Sequence, residues 1–481
     1  MPKYRSYSRF EKLLQNFYSL LQTVRIHQDD HKLVSEGVEK FCMSLSDCIP
    51  GDLLDIRVAN GRLFVDDEML SYNRSTRNLI DNLAGYFDDR GLEGLRFFDS
   101  IKQATKKDIL VFVHLLDSGG KQSGEEDWLT KGLDANNIIW AEVINKPDSE
   151  GQEKVKDSSF LDEAERRERA KKDYSYIMAS FKEVAQKVGA KGQVGMRKTV
   201  RVVQDMVKHL IEDDEVYSAI STLRVFDDYT FTHSVNVAIL SMCIGKRISL
   251  SRRSLERLGI CALFHDLGKI KVPHEILNKP GMLDDNDIKM IEEHSLNSAQ
   301  LIVKLRASRD RKAKIMLPPF EHHLKYDLSG YPHADWKKPL TLFGRIIAIA
   351  DVYDAITSPR VYRTSILSPD RALGFLLEGS GRDFDPILLK VFINMLGVYP
   401  VGTLLRLDSK ELALVVSSSR QKGERRPLAC FMRRDQIGNY YKGETIDLAE
   451  RDRSTGHYTR DIVETYHPSA FGIQPVQHIF N

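Results

Sequence analysis

With 481 residues, 42% hydrophobic and 29% charged, the chain has the composition of a globular protein long enough for more than one core. A formal net charge of +2 is too small to mark nucleic acid or a membrane surface as the main partner. Cys42, Cys48, Cys243, Cys261 and Cys430 are scattered and show no CxxC spacing, which argues against a disulfide framework or a thiolate zinc site and fits a reducing cytosol.

The opening MPKYRSYSRFEKLL has no apolar core of the kind a signal peptide needs, and no apolar run approaches the roughly 18 to 20 residues of a membrane span, so a cytoplasmic location without a membrane partner is expected. Phe10, Leu13, Leu14, Phe17, Leu20, Leu21 and Val24 recur at three- and four-residue steps, the pattern of an amphipathic helix. Asp55 to Val58 and Leu63 to Val65 flank Asn60-Gly61, which predicts a β-hairpin with a two-residue turn. A helix around Lys107 to Leu116 and an apolar run from Ile138 to Ile144 complete an N-terminal α+β domain, residues 1–147, with a regulatory or interaction role.

The polar stretch DSEGQEKVKDSSF reads as a linker, and the chain from 161 to about 224 as connecting helix, so residues 148–225 join two domains. Its charged run DEAERRERAKKD reads first as a solvated helix face and second as a dimerising helix. Residues 226–400 alternate apolar-periodic segments with short polar breaks and predict an all-α domain, with Asp385-Pro386 as a helix start. Leu404 to Leu407 and Glu411 to Val416 surround Asp408-Ser409-Lys410 as a second hairpin, so residues 401–481 read as a small β appendage and tail.

The chemistry gathers in the helical domain. LGICALF runs directly into His265-Asp266, and IIAIA ends in Asp351, so carboxylates border a core where an ion without a counter-charge is costly. His233, His294 and the pair His322-His323 recur at intervals of about one helix and its return, so successive helices of a bundle can each aim a ligand at a shared centre. An all His/Asp donor set without thiolate suits iron or manganese, and seven candidates exceed what one ion takes, which points to at least two.

HDLGK (His265 to Lys269), HHLKYDLSGYP (His322 to Pro332) and IADVYDAITSPRVYR (Ile349 to Arg363) resemble the HD-GYP family of metal-dependent phosphohydrolases, as do VPHEILNKPG and EEHSLNSAQLI between them. The resemblance covers roughly 226–400. It implies an all-α HD-GYP helical bundle that hydrolyses cyclic di-GMP to linear pGpG by a metal-bridged hydroxide, with the further step to GMP left open. It implies His233, His265, Asp266, His294, His322, His323 and Asp351 as metal ligands, with Asp266 bridging and catalytic. Lys269 would face the scissile phosphate, Arg360 and Arg363 the other phosphate, and Gly330, Tyr331 and Pro332 would line the guanine pocket. Tyr229 stands where three-metal members carry a glutamate, so two divalent ions, iron or manganese, are expected. Leu324 and Leu328 stand where the pattern has Glu and Gly, which supplies the alternatives: a catalytically weak cyclic di-GMP receptor or adaptor, or a phosphohydrolase of another nucleotide. A protein partner for the N-terminal domain and a homodimer complete the expected associations.

Overall fold

Three- and four-residue spacing places Leu13, Leu14, Phe17, Leu20, Leu21 and Val24 on one buried face of α1 (Lys3–Ile26), because such steps return a side chain to the same side of a helix. The computed structural model describes residues 3–49, 53–59, 61–66, 68–70, 76–119, 128–145, 163–189, 197–212, 219, 229–277, 279, 281–305, 307–333, 338–358, 366–418 and 424–479. By its packing the chain divides into two units, Met1–Lys154 with Gly195–Arg197 and Arg306–Lys312, and Val155–Val194 with Lys198–Leu305 and Ala313–Asn481.

In the first unit α1 is followed by α2 (Lys32–Cys48), β1 (Leu53–Ala59), β2 (Arg62–Val65), β3 (Glu68–Met69), α3 (Arg77–Asp88), β4 (Leu92–Phe98), α4 (Lys106–Ser118), α5 (Trp128–Ala135) and β5 (Ala141–Asn145). The strands form an antiparallel sheet in the order β3-β2-β1-β4-β5. The expected hairpin is the β1–β2 pair, with Ala59 opposite Arg62 and Gly61 at φ 69°, a left-handed value that costs glycine no Cβ clash; Asn60 lies outside the described residues. Thr105 and Asp108 cap α4 reciprocally, each side chain accepting the other's backbone N–H. Aromatic rings knit helices to sheet: Phe17 stacks on Phe41 at 5.2 Å, and Phe97 of β4 meets both edge-on.

The second unit holds α6 (Glu163–Gly189), α7 (Arg197–Glu212) from Lys198 on, α8 (Tyr229–Arg247), α9 (Arg252–Leu263), α10 (His274–Leu277), α11 (Asp285–Glu292), α12 (His294–Lys304), α13 (Arg309–Glu321) from Ala313 on, α14 (Leu342–Ile356), α15 (Pro369–Glu378) and α16 (Pro386–Leu396). A short 3-10 turn, Leu267–Lys271, follows α9. Asp385 caps α16 as expected, accepting from the Ile387 N–H at 2.9 Å and the Leu388 N–H at 3.2 Å, with Pro386 in the first turn. In the charged opening of α6, Glu165, Glu168 and Lys172 are exposed. The same helix buries Ala170, Tyr174, Ile177, Met178, Phe181, Ala185 and Val188, a continuous apolar stripe at helical spacing.

The C-terminal part is a larger sheet than one hairpin. β6 (Leu404–Leu407) and β7 (Leu412–Ser417) pair where expected, and β8 (Leu428–Arg434), β9 (Tyr440–Asp447) and β10 (Ile462–Tyr466) extend them to the order β10-β6-β7-β8-β9, before α17 (Pro475–Ile479). Alternating inward residues Leu405, Leu407, Ala413, Val415, Ala429 and Phe431 make its core with Leu448. Among the described residues no helix is long and apolar enough to cross a membrane.

Candidate metal centre

Each ligand-type side chain sits where a helix begins, ends or faces inward. His233 projects from the buried side of α8, and the apolar run of α9 stops at Leu263 so that His265 and Asp266 fall on the turn beyond it. α12 starts on His294, His322 and His323 follow the last turn of α13, and α14 carries Asp351 and Asp354. Gly268 makes this convergence possible. A Cβ there would stand 2.0 Å from the His294 carbonyl oxygen and 2.6 Å from the Ser298 nitrogen. Without it, the Gly268 N–H reaches Ser298 Oγ at 2.7 Å, and that hydroxyl donates to the His265 carbonyl at 2.8 Å.

The side chains form two groups, Asp266 with His294, His322 and His323, and His233 with His265 and Asp351; within each, the donor atoms lie within 4.8 Å of one another. Asp266 stands between them, its Oδ1 3.2 Å from His294 Nε2 and its Oδ2 3.5 Å from His233 Nε2 and 3.4 Å from His265 Nε2. The ring orientations are set by backbone. His265, His294 and His322 each direct Nδ1 at the carbonyl three residues back, of Ala262 at 2.6 Å, Ile291 at 2.5 Å and Pro319 at 2.6 Å. A carbonyl only accepts, so Nδ1 holds the ring proton and Nε2 of a neutral ring presents a lone pair.

Those lone pairs face one another: His294 Nε2 is 3.3 Å from His322 Nε2. Burial, first among the causes, lowers the pKa of His294 to about 4 and holds His322 well below its ordinary value, so neither ring brings a second proton to the contact at neutral pH. Two lone pairs at that distance repel unless an electrophile lies between or beside them, and a divalent cation is what such donors fit. Two further buried atoms, His265 Nε2 and Asp266 Oδ1, make no hydrogen bond. Burial would raise Asp266, but Lys269 and His265 override it and keep the carboxyl well below the usual range. Asp351 is held low against the same burial penalty by its hydrogen bond with His233 and by His323. An ionised Asp266 beside neutral His294, His322 and His323 has the protonation states a metal requires.

Residues 199–388 match the family model of the HD domain. The segment that bears the ligand-type residues is an HD domain. It is 32% identical over 215 residues to a cyclic di-GMP phosphodiesterase of Pseudomonas aeruginosa, covering 45% of this chain and 51% of that protein. It is 32% identical over 196 residues to a 3'3'-cGAMP-specific phosphodiesterase of Vibrio cholerae, covering 39% of this chain and 42% of that one. The chain thus spans about half the length, or less, of these curated relatives. Among solved structures, an HDG"Y"P protein of Bdellovibrio bacteriovorus aligns with TM-score 0.41 and 14% identity over 72% of this chain and 99% of that chain.

Around the HD-domain centre the remaining sequence-predicted residues are placed unevenly. Lys269 rests its ammonium on Asp266 Oδ2, so here it neutralises the carboxylate. The Tyr331 ring lies over His323 with centroids 4.4 Å apart. Gly330 has φ 95°, and a Cβ there would come within 2.4 Å of the His323 carbonyl oxygen. Leu328 holds φ 70°, a left-handed value that costs a leucine about 1–2 kcal/mol, in the position where the pattern has glycine. Arg360 and Arg363 lie outside the described residues, as does the side chain of Tyr229.

Sequence reasoning missed Asp354, Asn236 and Glu321. Asp354 Oδ2 is 2.7 Å from His233 Nδ1, and its Oδ1 accepts from Asn236 Nδ2 at 2.9 Å. Its signal was available, since Asp351 and Asp354 are one turn apart on α14 and share a face. Glu321, fully buried, accepts from the Thr341 N–H at 3.0 Å and from its hydroxyl at 2.5 Å, tying the end of α13 to the N-cap of α14; Gly344 leaves room, since a Cβ there would meet Glu321 Oε2 at 2.4 Å.

The histidines also fix how metal-free protein responds to pH. His294 at about 4, His323 at about 3 and His322 below its ordinary value are all depressed from 6.5. The unfolded chain therefore binds more protons than the folded one below 6.5, and stability falls as the pH drops from there towards 4. His233 has the opposite sign. Burial opposes its charge, but hydrogen bonds to Asp351 and Asp354 push it up to about 9, so its contribution is complete below 6.5 and is lost as the pH rises through 9. These groups together place the stability maximum of chelator-treated protein near pH 6.5, to be checked by urea titration at roughly pH 5, 6.5 and 9. A midpoint that climbs steadily from 6.5 to 9 would contradict the assignment.

Proposed function

We propose that the HD domain hydrolyses a phosphodiester bond of cyclic di-GMP, opening it to linear pGpG, with two divalent ions, iron or manganese, held by His233, His265, Asp266, His294, His322, His323 and Asp351. The observation that carries this reading is the pair of facing Nε2 lone pairs on His294 and His322, with both Nδ1 protons already committed to backbone carbonyls. Divalent ions bound there supply Lewis acidity at a phosphoryl oxygen and a water acidic enough to attack near neutral pH. The chain's own groups do the rest. Asp266 spans both ligand groups and holds them at a shared distance. Lys269, partly exposed beside it, would pair with a phosphate oxygen. Tyr331 offers a flat ring beside His323 against which a guanine can stack, and Arg360 and Arg363 would clamp the second phosphate.

The matched relatives are named for different cyclic dinucleotides, so cyclic di-GMP, 3'3'-cGAMP and linear dinucleotides belong in one turnover assay. The protein would work in the cytoplasm, with residues 1–147 serving regulation or interaction. A second reading, a receptor that binds cyclic di-GMP without turning it over, is favoured by the left-handed Leu328 in the loop leading to Tyr331. Leu328→Gly separates them better than Leu324→Glu, because Leu324 is only 3% exposed and a carboxylate there would be buried. The expected result is slow hydrolysis by wild type that rises several-fold in Leu328→Gly at unchanged metal content. Binding without product under both iron and manganese would establish the receptor, and neither binding nor product would sink both readings.

A further inference from the structure

His233 differs from the other ligands in what holds its ring. His265, His294 and His322 lean on main-chain carbonyls, whereas His233 Nδ1 leans on the Asp354 carboxylate at 2.7 Å. That carboxylate is oriented in turn by Asn236 Nδ2 at 2.9 Å, and Asn236 Oδ1 accepts from the Tyr174 hydroxyl at 2.7 Å. Tyr174, Asn236, His233 and Asp354 are all buried. The donor order has one solution. Asp354 can only accept, so Asn236 must turn its amide nitrogen towards it and its oxygen towards Tyr174, whose hydroxyl must donate. Reversing any link places like groups face to face in a buried position.

The first member of this chain is not on the HD domain as matched. Tyr174 belongs to α6, and the family match begins at residue 199. α6 packs against α8 and against the 3-10 turn Leu267–Lys271, with Phe181 ringed by Phe231 at 6.0 Å and by Phe264 at 6.4 Å, the residue before His265-Asp266. We infer that Tyr174 is a positioning residue of the metal centre: through Asn236 and Asp354 it fixes the ring orientation and proton placement of His233, which makes α6 a part of the site. The inference rests on the metal-centre reading above. A partner hydrogen-bonded to a metal-ligating histidine is worth roughly 10- to 100-fold in metal affinity, and a residue two links further out should carry a smaller share.

The test uses the full chain and Mn²⁺ alone, with affinity read by equilibrium dialysis after chelator treatment. Tyr174→Phe keeps the ring and deletes only the hydroxyl, and is expected to weaken Mn²⁺ binding by roughly 3- to 10-fold. Asn236→Leu removes the middle link and is expected to weaken it at least as much. Because the links act in series, the double variant should bind no worse than Asn236→Leu, whereas two unrelated packing defects would add. Unchanged Mn²⁺ binding in Tyr174→Phe, or fully additive losses, would overturn the inference while leaving the metal centre standing. Wild-type protein that takes up no Mn²⁺ would overturn the metal centre itself, and the relay with it.

Discussion

Asp266→Ala is expected to strip the HD domain of metal and turnover together, each by more than roughly 100-fold. The carboxylate is buried and ionised, with one oxygen 3.2 Å from His294 and the other within 3.5 Å of His233 and His265. Its loss removes a ligand from the His294 group and the connection to the His233 group in one step, and leaves Lys269 beside neutral imidazoles with no charge to balance it. Lys269→Ala should behave differently, keeping its metal while hydrolysis slows, because the ammonium cannot ligate. Elemental analysis of both variants beside wild type decides the matter. Equal metal loss in the two would show that Lys269 maintains the site and does not act on substrate.

Gly268→Ala is expected to be the most damaging single methyl group in the HD domain. The added carbon would sit 2.0 Å from one backbone atom of α12 and 2.6 Å from another, and backbone cannot swing aside as a side chain can. Relief requires moving the His265-Asp266 turn away from the start of α12, which breaks the Ser298 bridge and carries His294 off its partners. Overpacking of this kind costs about 1–3 kcal/mol or more, and the shift should also lower metal affinity. Denaturant unfolding and metal content on the same variant test both parts. A Gly268→Ala protein with wild-type midpoint and full metal would show that the turn has slack the packing does not suggest.

His265, Asp266 and Asp351 were legible because each ends an apolar run, and His233, His294, His322 and His323 because they recur at intervals of about one helix and its return, a combination with few inexpensive explanations other than a shared cation. The α1 stripe, the β1–β2 turn and the Asp385 cap were legible for a similar reason, since local spacing and turn chemistry dictate them. β10 was not, because it pairs with β6, Ile462 opposite Leu407, across the intervening β7 to β9; β8 and β9 form a local hairpin, Arg434 opposite Tyr440, but β9 is exposed or half-buried throughout and carries no alternation to mark it. Tyr174 was hidden more thoroughly. Its helix opens with a charged run that dominates any local average, and nothing in the tyrosine directly after that run announces that its hydroxyl donates to Asn236, which in turn holds the Asp354 carboxylate. Glu321, adjacent to the paired histidines, reads in sequence as one more polar neighbour, while in the fold it staples two ligand-bearing segments.

Three of the histidines take their aim from their own main chain, and this divides the site into a durable part and a fragile one. Any substitution that preserves the local turn leaves His265, His294 and His322 pointing inward, so drift in the surrounding side chains can accumulate without cost to them. His233 has no such insulation. Its aim passes through three other side chains on three helices, each of which must keep its identity. Over many generations of neutral change the centre should therefore erode first at His233.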